Sequence, residues 1–537
     1  MDTIFKDRNG EPIFVLGLQS HNSSNGDREM LHRSIEAVKS YHGNTVEVPV
    51  YWYQIEPEEG VFDLSMVDSL IDQVRDAGLY LIILWFGFSK NADLTYMPDW
   101  AKRDKKRFKL AIKADGGVVP MMSPHCSETV EADRKAFARL IEEIRDKDKN
   151  ERTVIAVQVE NEVGLYPADR DYSKKAQSDF DMGVPEELKG IVLEDSGASM
   201  KDDSWYGRFG RYAHEAFSSW YFGRAIERIA SAGNEIYPEL PLIMNTIVGE
   251  VRQEVGGQSY SSGAPVGRTI PIWQKAAPSI KCFGADIYMQ DMESYLRTCR
   301  SHLKNGNMLF IPETGTGGEG FALNHIHAAA DLGAIGICGF GAESTVKSDG
   351  TLTDAAKKVA DSFEILSLMA PVIKKYGGTD RIFGVTQKEF QTYKHIKREK
   401  YHITFNFTTR NEKGALLGRN MRIGALLNDD PDAFDRRGRA VVFEASPTEY
   451  YIAGVGFTAR FLKRTDPDDH FPTRTYQSRA ATELTAFTIE EGHFDTDGSW
   501  VCEFVRRGDE IDCGAFLYPG IVLRVVLNPD ACVAEDW

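Results

Sequence analysis

Short apolar runs recur through the first two thirds of the chain, and amphipathic stretches separate them. The runs lie at 13–18, 44–50, 79–86, 154–159, 242–246, 282–288, 308–311 and 335–340. The stretches between them repeat apolar residues at helical spacing, at 27–41, 65–77, 130–145, 205–231 and 324–332. Strand–helix alternation of this kind predicts a parallel sheet with helices outside it. Eight such units predict an α/β fold, a (β/α)8 barrel over residues 1–370. A doubly wound open sheet is the competing arrangement, but no strand–Gly-rich turn–helix fingerprint stands early in the chain to favour it. Two connections are long, 87–150 after the third strand and 163–240 after the fourth. Ligands of a barrel bind at the loops that follow its strands, so these two are expected to wall the pocket.

Past the run 366–371 the pattern changes. Alternating segments at 402–407, 440–444, 449–461, 485–490, 501–506 and 521–527 are broken by turn residues, and helical periodicity fades. An all-β, sandwich-like domain is expected over 371–537. The acid-rich stretches 428–435 and 465–470 lack the alternating ligand spacing of a calcium loop and read as solvated turns.

Composition narrows the picture. Hydrophobic residues make up 42% of the 537, with 11% aromatic and 27% charged, which is ordinary for a globular chain. A net charge of −17 argues against nucleic acid or an anionic membrane as the main partner. The N-terminus, MDTIFKDRNGEPIF, has no basic segment followed by an apolar one, and no apolar run is long enough to span a bilayer. Seven scattered cysteines form neither a disulfide framework nor a zinc set. A cytoplasmic location is expected.

The candidate chemistry sits at strand ends. Val154–Val159 run into Glu160-Asn161-Glu162, two acids and an amide where a buried strand stops. Met308-Leu309-Phe310-Ile311-Pro312 run into Glu313, followed by a glycine-rich segment. Counting strands places Glu162 at the end of the fourth and Glu313 at the end of the seventh, facing each other across the mouth. Alternation predicts Glu160 and Glu162 on one side, with Asn161 pointing away unless the backbone twists. Two facing carboxylates, one protonated and one ionised, are what glycoside hydrolysis requires.

These residues carry a resemblance. Val157-Gln158-Val159-Glu160-Asn161-Glu162 resembles the strand-four motif of glycoside hydrolase family 35, the β-galactosidases, in the clan of retaining (β/α)8-barrel glycosidases. Trp52-Tyr53-Gln54-Ile55-Glu56-Pro57-Glu58-Glu59-Gly60-Val61-Phe62-Asp63 is similar to a segment after strand two in families 35 and 42. The β-rich end resembles an uncharacterised domain attached to some family 35 members. The resemblance implies Glu162 as acid/base, Glu313 as nucleophile, Asn161 on the sugar 2-hydroxyl and Tyr288 hydrogen-bonded to the nucleophile. It implies no cofactor and no metal, a carbohydrate substrate, and a possible homo-oligomer built through the β-domain. After strand three the chain reads Leu84-Trp85-Phe86-Gly87-Phe88-Ser89 instead of the family's Pro-Gly-Pro-Tyr.

Further candidates for sugar contact are Trp52 and Trp85 as stacking faces, His21 after strand one, and Glu160. The expected activity is that of a retaining exo-β-glycosidase, foremost a β-galactosidase acting on small oligosaccharides or glycosides. A β-glucosidase or transglycosylase with the same two glutamates, and a silent carbohydrate-binding barrel, remain open alternatives.

Overall fold

The structure is a computed structural model that describes residues 3–249, 255–407, 422, 436–464, 486–495, 497–512 and 514–528. The acid-rich stretches 428–435 and 465–470 lie outside the described residues. Two compact units are present. One comprises 2–316 and 335–353, the other 317–334 and 354–537.

The first unit is a parallel eight-stranded barrel. Its strands are β1 (Val15–Gln19), β2 (Thr45–Tyr51), β3 (Tyr80–Lys90), β4 (Val154–Asn161), β5 (Leu242–Met244), β6 (Ile280–Phe283), β7 (Phe310–Thr314) and β8 (Gly336–Phe340). Each falls on one of the eight apolar runs. The ladders run β6-β5-β4-β3-β2-β1-β8-β7. Between β6 and β7 the ring is closed by a parallel bridge of Ile287 with Thr314 and by the Ile287 N–H donating to the Glu313 carbonyl at 2.8 Å. Strands covered on both faces need no polar side, so β2 and β4 are buried from end to end.

Helices follow the expected pattern. Arg28–Ser40 starts at Asp27, whose carboxylate accepts from the Glu29 N–H at 2.8 Å, and it turns Leu31, Ile35 and Val38 inward. The long connection after β3 holds a short helix (Asp99–Arg103), a hairpin of Leu110–Ile112 with Val118–Met122, and the helix Ser127–Asp148. The connection after β4 ends in the helix Ala213–Ile236. Among the described residues no helix is long and apolar enough to cross a membrane.

The second unit contains two antiparallel sheets. One orders Ile382–Thr386, Arg439–Ser446, Glu449–Val455, Val522–Leu527, Ala486–Phe494 and Trp500–Arg506. The other orders Tyr393–Lys397, Tyr401–Phe407, Phe457–Lys463 and Ala515–Phe516. Side chains of both sheets share one core, including Val385, Ile403, Phe405, Tyr450, Phe457 and Val525. The segment 449–461 is two strands rather than one. Gly456, at φ +75°, breaks it into a hairpin, and a Cβ there would meet the Arg436 carbonyl. The helices Glu319–Ala330 and Asp354–Leu368 belong to this unit. Arg439, 1% exposed, joins both to the sheet, donating to Glu319 Oε1 at 2.9 Å and Asp361 Oδ2 at 3.2 Å.

Candidate active site

The barrel mouth gathers carboxylates from three strand ends. Oxygens of Glu162 after β4, Asp286 after β6 and Glu313 on β7 lie within 4.8 Å of one another, and all three residues are buried. Glu313 is the best-held of them. Its Oε1 accepts from Gln19 Nε2 at 3.1 Å, Asn161 Nδ2 at 3.3 Å and Asn245 Nδ2 at 3.3 Å, and its Oε2 from the Tyr288 hydroxyl at 2.8 Å. Four donors fix both oxygens of one side chain in place, an arrangement suited to a carboxylate that must attack along one line.

Glu162 lies in different surroundings. Its backbone N–H donates to Asn245 Oδ1 at 3.0 Å. Burial and the neighbouring Glu313 charge push its carboxyl up to about 7, while Lys90 and Asp286 pull the other way. The two acids therefore lie in different environments, one raised by burial and a neighbouring charge and the other surrounded by donors, as pairs of carboxyls with separate tasks do.

The backbone at this strand end is unusual. Glu160 and Glu162 take φ of +60° and +47°, a left-handed conformation that costs each of these side chains about 1 kcal/mol. Simple alternation therefore fails here. Asn161 and Glu162 both turn to the centre of the mouth, and Glu160 turns outward. Glu160 has no exposed surface and accepts backbone N–H groups from Gly87 at 3.2 Å, Phe88 at 3.3 Å and Ser89 at 2.8 Å. The β3–β4 register breaks between Trp85 and Lys90, and the displaced residues wrap these carboxylate oxygens. Asp133, from the helix Ser127–Asp148, completes the cluster by accepting from Phe88 N–H and Trp85 Nε1, each at 2.8 Å. Gly87 has to be glycine, because a Cβ would collide with both carboxylates and the Trp85 indole. The expected sugar contact through Glu160 is corrected accordingly: its oxygens are already used in holding the turn after β3. Glu160→Ala strands the buried N–H groups of Gly87 and Ser89, while that of Phe88 keeps Asp133, and is expected to cost on the order of 2 kcal/mol or more, read as a lower Tm. Glu160→Gln, which keeps an acceptor, should fold and bind substrate with unchanged KM.

Two stacking candidates are corrected in the same way. Trp52 and Trp85 have no exposed surface. The Trp52 indole donates to Glu56 at 2.7 Å and packs edge-on against Trp100, and Trp85 donates to Asp133. Both are core residues whose polar edge is satisfied by a buried acid. His21 does sit at the rim. Its Nε2 lies 2.6 Å from the Ser344 hydroxyl, and its backbone N–H donates to Glu343 at 3.1 Å. Tyr288, 48% exposed, combines an open ring face with its hydrogen bond to Glu313.

Several site residues escaped the reading of the sequence. Lys90, buried at the end of β3, donates to Asn161 Oδ1 at 2.8 Å and so orients the amide whose nitrogen meets Glu313. Gln19 ends β1 and Asn245 follows β5. Glu47, in β2 and paired in register with Gln19, is buried, and burial followed by the Glu313 charge raises its carboxyl well above the ordinary range. The available signal was a polar residue at the end of nearly every apolar run, which marks the C-terminal rim of a barrel.

Three clustered acids also invite a metal ion. Here every oxygen of Glu313 and the Oδ2 of Asp286 already accept N–H or O–H donors, with Asn245 Nδ2 reaching Asp286 at 2.8 Å. A donor-lined set is poorly suited to a cation, and we assign it none.

Residues 20–214 match the family model Glyco_hydro_42, described as beta-galactosidase. Residues 359–518 match a model described as a domain of unknown function, DUF5597. The first match covers Asn161 and Glu162; the model it fits is that of family 42, and the resemblance to family 35 is not supported. The barrel fits the clan. No curated protein matches the chain. Among solved structures it is similar to a beta-galactosidase from Bacillus circulans sp. alkalophilus, at 14% identity and TM-score 0.50, covering 68% of this chain and 57% of that one. It is also similar to a catalytic mutant of a GH42 beta-galactosidase from G. stearothermophilus, at 15% identity and TM-score 0.50, covering 71% and 59%. The chain thus spans less than two thirds of either, and at these identities the likeness establishes the fold.

Proposed function

We propose that this chain is a retaining β-glycosidase whose preferred substrates are β-galactosides. Glu313 attacks the anomeric carbon while Glu162 gives its proton to the departing glycosidic oxygen. Water, deprotonated by Glu162, then releases the sugar from Glu313. The observation that carries this reading is the spacing of the two acids. Retention requires carboxyls about 5–5.5 Å apart, whereas inversion needs about 6.5–9.5 Å to admit a water. One oxygen of Glu162 lies within 4.8 Å of one of Glu313, a close approach that supports the retaining geometry. In this reading Asn161, which accepts from Lys90 and donates to Glu313, meets the sugar 2-hydroxyl, and the Tyr288 hydroxyl steadies the nucleophile. The choice of galactose rests on the family 42 match over residues 20–214.

Hydrolysis of a panel of nitrophenyl β-glycosides, followed by proton NMR, tests the proposal. The first-formed sugar should be the β-anomer, with the β-galactoside turned over fastest. An α-anomer first would refute the double displacement, and a faster β-glucoside would move the specificity. Because no step is routed through a cation, rates should be unchanged in excess chelator.

A further inference from the structure

We propose, resting on the assignment of Glu162 as acid/base, that Asp286 is a positioning residue. It works as a neutral carboxylic acid whose O–H donates to Glu162 and stabilises the carboxylate left after proton transfer. The argument begins with Asn245, which has no exposed surface and touches all three acids. Its Nδ2 donates to Asp286 Oδ2 at 2.8 Å and to Glu313 Oε1 at 3.3 Å, and its Oδ1 accepts the Glu162 backbone N–H at 3.0 Å. Asp286 cannot turn away. It is 2% exposed, a parallel bridge pairs it with Ile247, and its N–H donates to the Thr246 carbonyl at 3.0 Å.

That leaves Asp286 Oδ1 buried with no donor directed at it among the described residues, and an Asp286 oxygen lies within 4.8 Å of an oxygen of Glu162. A bare carboxylate oxygen enclosed beside two further acids is costly. A proton on Oδ1 removes the charge and gives the O–H an acceptor in Glu162. The charged groups facing this pair are Glu313 from β7 and Lys90 from β3, with the Tyr288 hydroxyl beside Glu313. Burial first, then the Glu313 and Glu162 charges, raise the Asp286 carboxyl well above its ordinary range, which agrees with the geometry.

The proton count balances. In the first step the Glu162 proton passes to the glycosidic oxygen as the bond from that oxygen to the anomeric carbon breaks and the Glu313 ester forms. Asp286 keeps its own proton and donates its hydrogen bond to the new Glu162 carboxylate. In the second step Glu162 takes a proton from water, whose oxygen replaces Glu313 at the anomeric carbon, and Asp286 is again unchanged.

Two variants test this. Asp286→Ala removes the donor. It should slow aryl galactosides with poor leaving groups by ~10–100-fold while sparing a dinitrophenyl galactoside, whose departure needs no acid. Its alkaline limb in kcat/KM should move to higher pH. Asp286→Asn restores a neutral side chain able to accept from Asn245 and donate to Glu162, and should recover most of that loss. Equal losses on both leaving groups in Asp286→Ala, or an Asp286→Asn variant whose alkaline limb drops by about a unit because a charge was removed, would overturn the proposal. Infrared spectra at neutral pH read the same point without activity. The wild-type protein should show a protonated-carboxyl band that Asp286→Asn lacks, and identical bands would also overturn it. Absence of glycosidase activity with the band difference intact would fault the assigned reaction and not the protonation of Asp286.

Discussion

Glu313→Gly should lower kcat on an aryl β-galactoside by about 10⁴-fold or more, and sodium azide should return part of the activity as an α-galactosyl azide. A loss of that size corresponds to ~5.5 kcal/mol of transition-state stabilisation. It is expected because nothing else in the mouth can replace the lost group. In the proposed mechanism Glu162 is occupied as the proton donor, and Asp286 is held by Asn245. Removing the side chain opens the space in which a small anion can attack from the same face. The variant should still fold, since the donors from Gln19, Asn161, Asn245 and Tyr288 can reach water filling that space. An α-configured azide product identifies the face that Glu313 occupies. No azide product, or full residual activity, would take Glu313 out of the nucleophile's place.

Glu162→Ala should show the complementary signature. Substrates with poor leaving groups should lose about 10²–10⁴-fold in kcat/KM, the range of a general acid, while a dinitrophenyl glycoside loses far less in its first step. Azide should now give the β-galactosyl azide, because it enters from the acid/base side of the glycosyl-enzyme. The pH profile carries the sign of the same assignment. A carboxyl raised to about 7 is protonated, and competent to donate, below that pH and loses its proton above it. The alkaline limb of kcat/KM in the wild-type protein should therefore fall near pH 7, and it should disappear in Glu162→Ala. A limb that persists there would assign it to another group.

Much of this was open to reading before any coordinates. Parallel strands covered on both faces appear as unbroken apolar runs, so all eight could be located, and the acids at the ends of the fourth and seventh stood out because a buried strand has no other reason to stop in a carboxylate. Side-chain direction was not open to reading. The period-two rule put Glu160 beside Glu162, but positive φ at both residues and the break in β3 pairing reversed it. Trp52 and Trp85 looked like sugar platforms because they end strands, and only their buried hydrogen bonds to Glu56 and Asp133 show them to be core.

What the order of residues settles here is local: which segments are strands, where each stops, and which two glutamates end them. Such features follow from side-chain period and burial within a few neighbouring positions. The spacing of those glutamates, the raised carboxyl of Glu162 and the hub formed by Asn245 arise only on folding. Each is a sum of desolvation and hydrogen bonds from groups scattered over six strand ends, and those contributions exist only once the barrel closes.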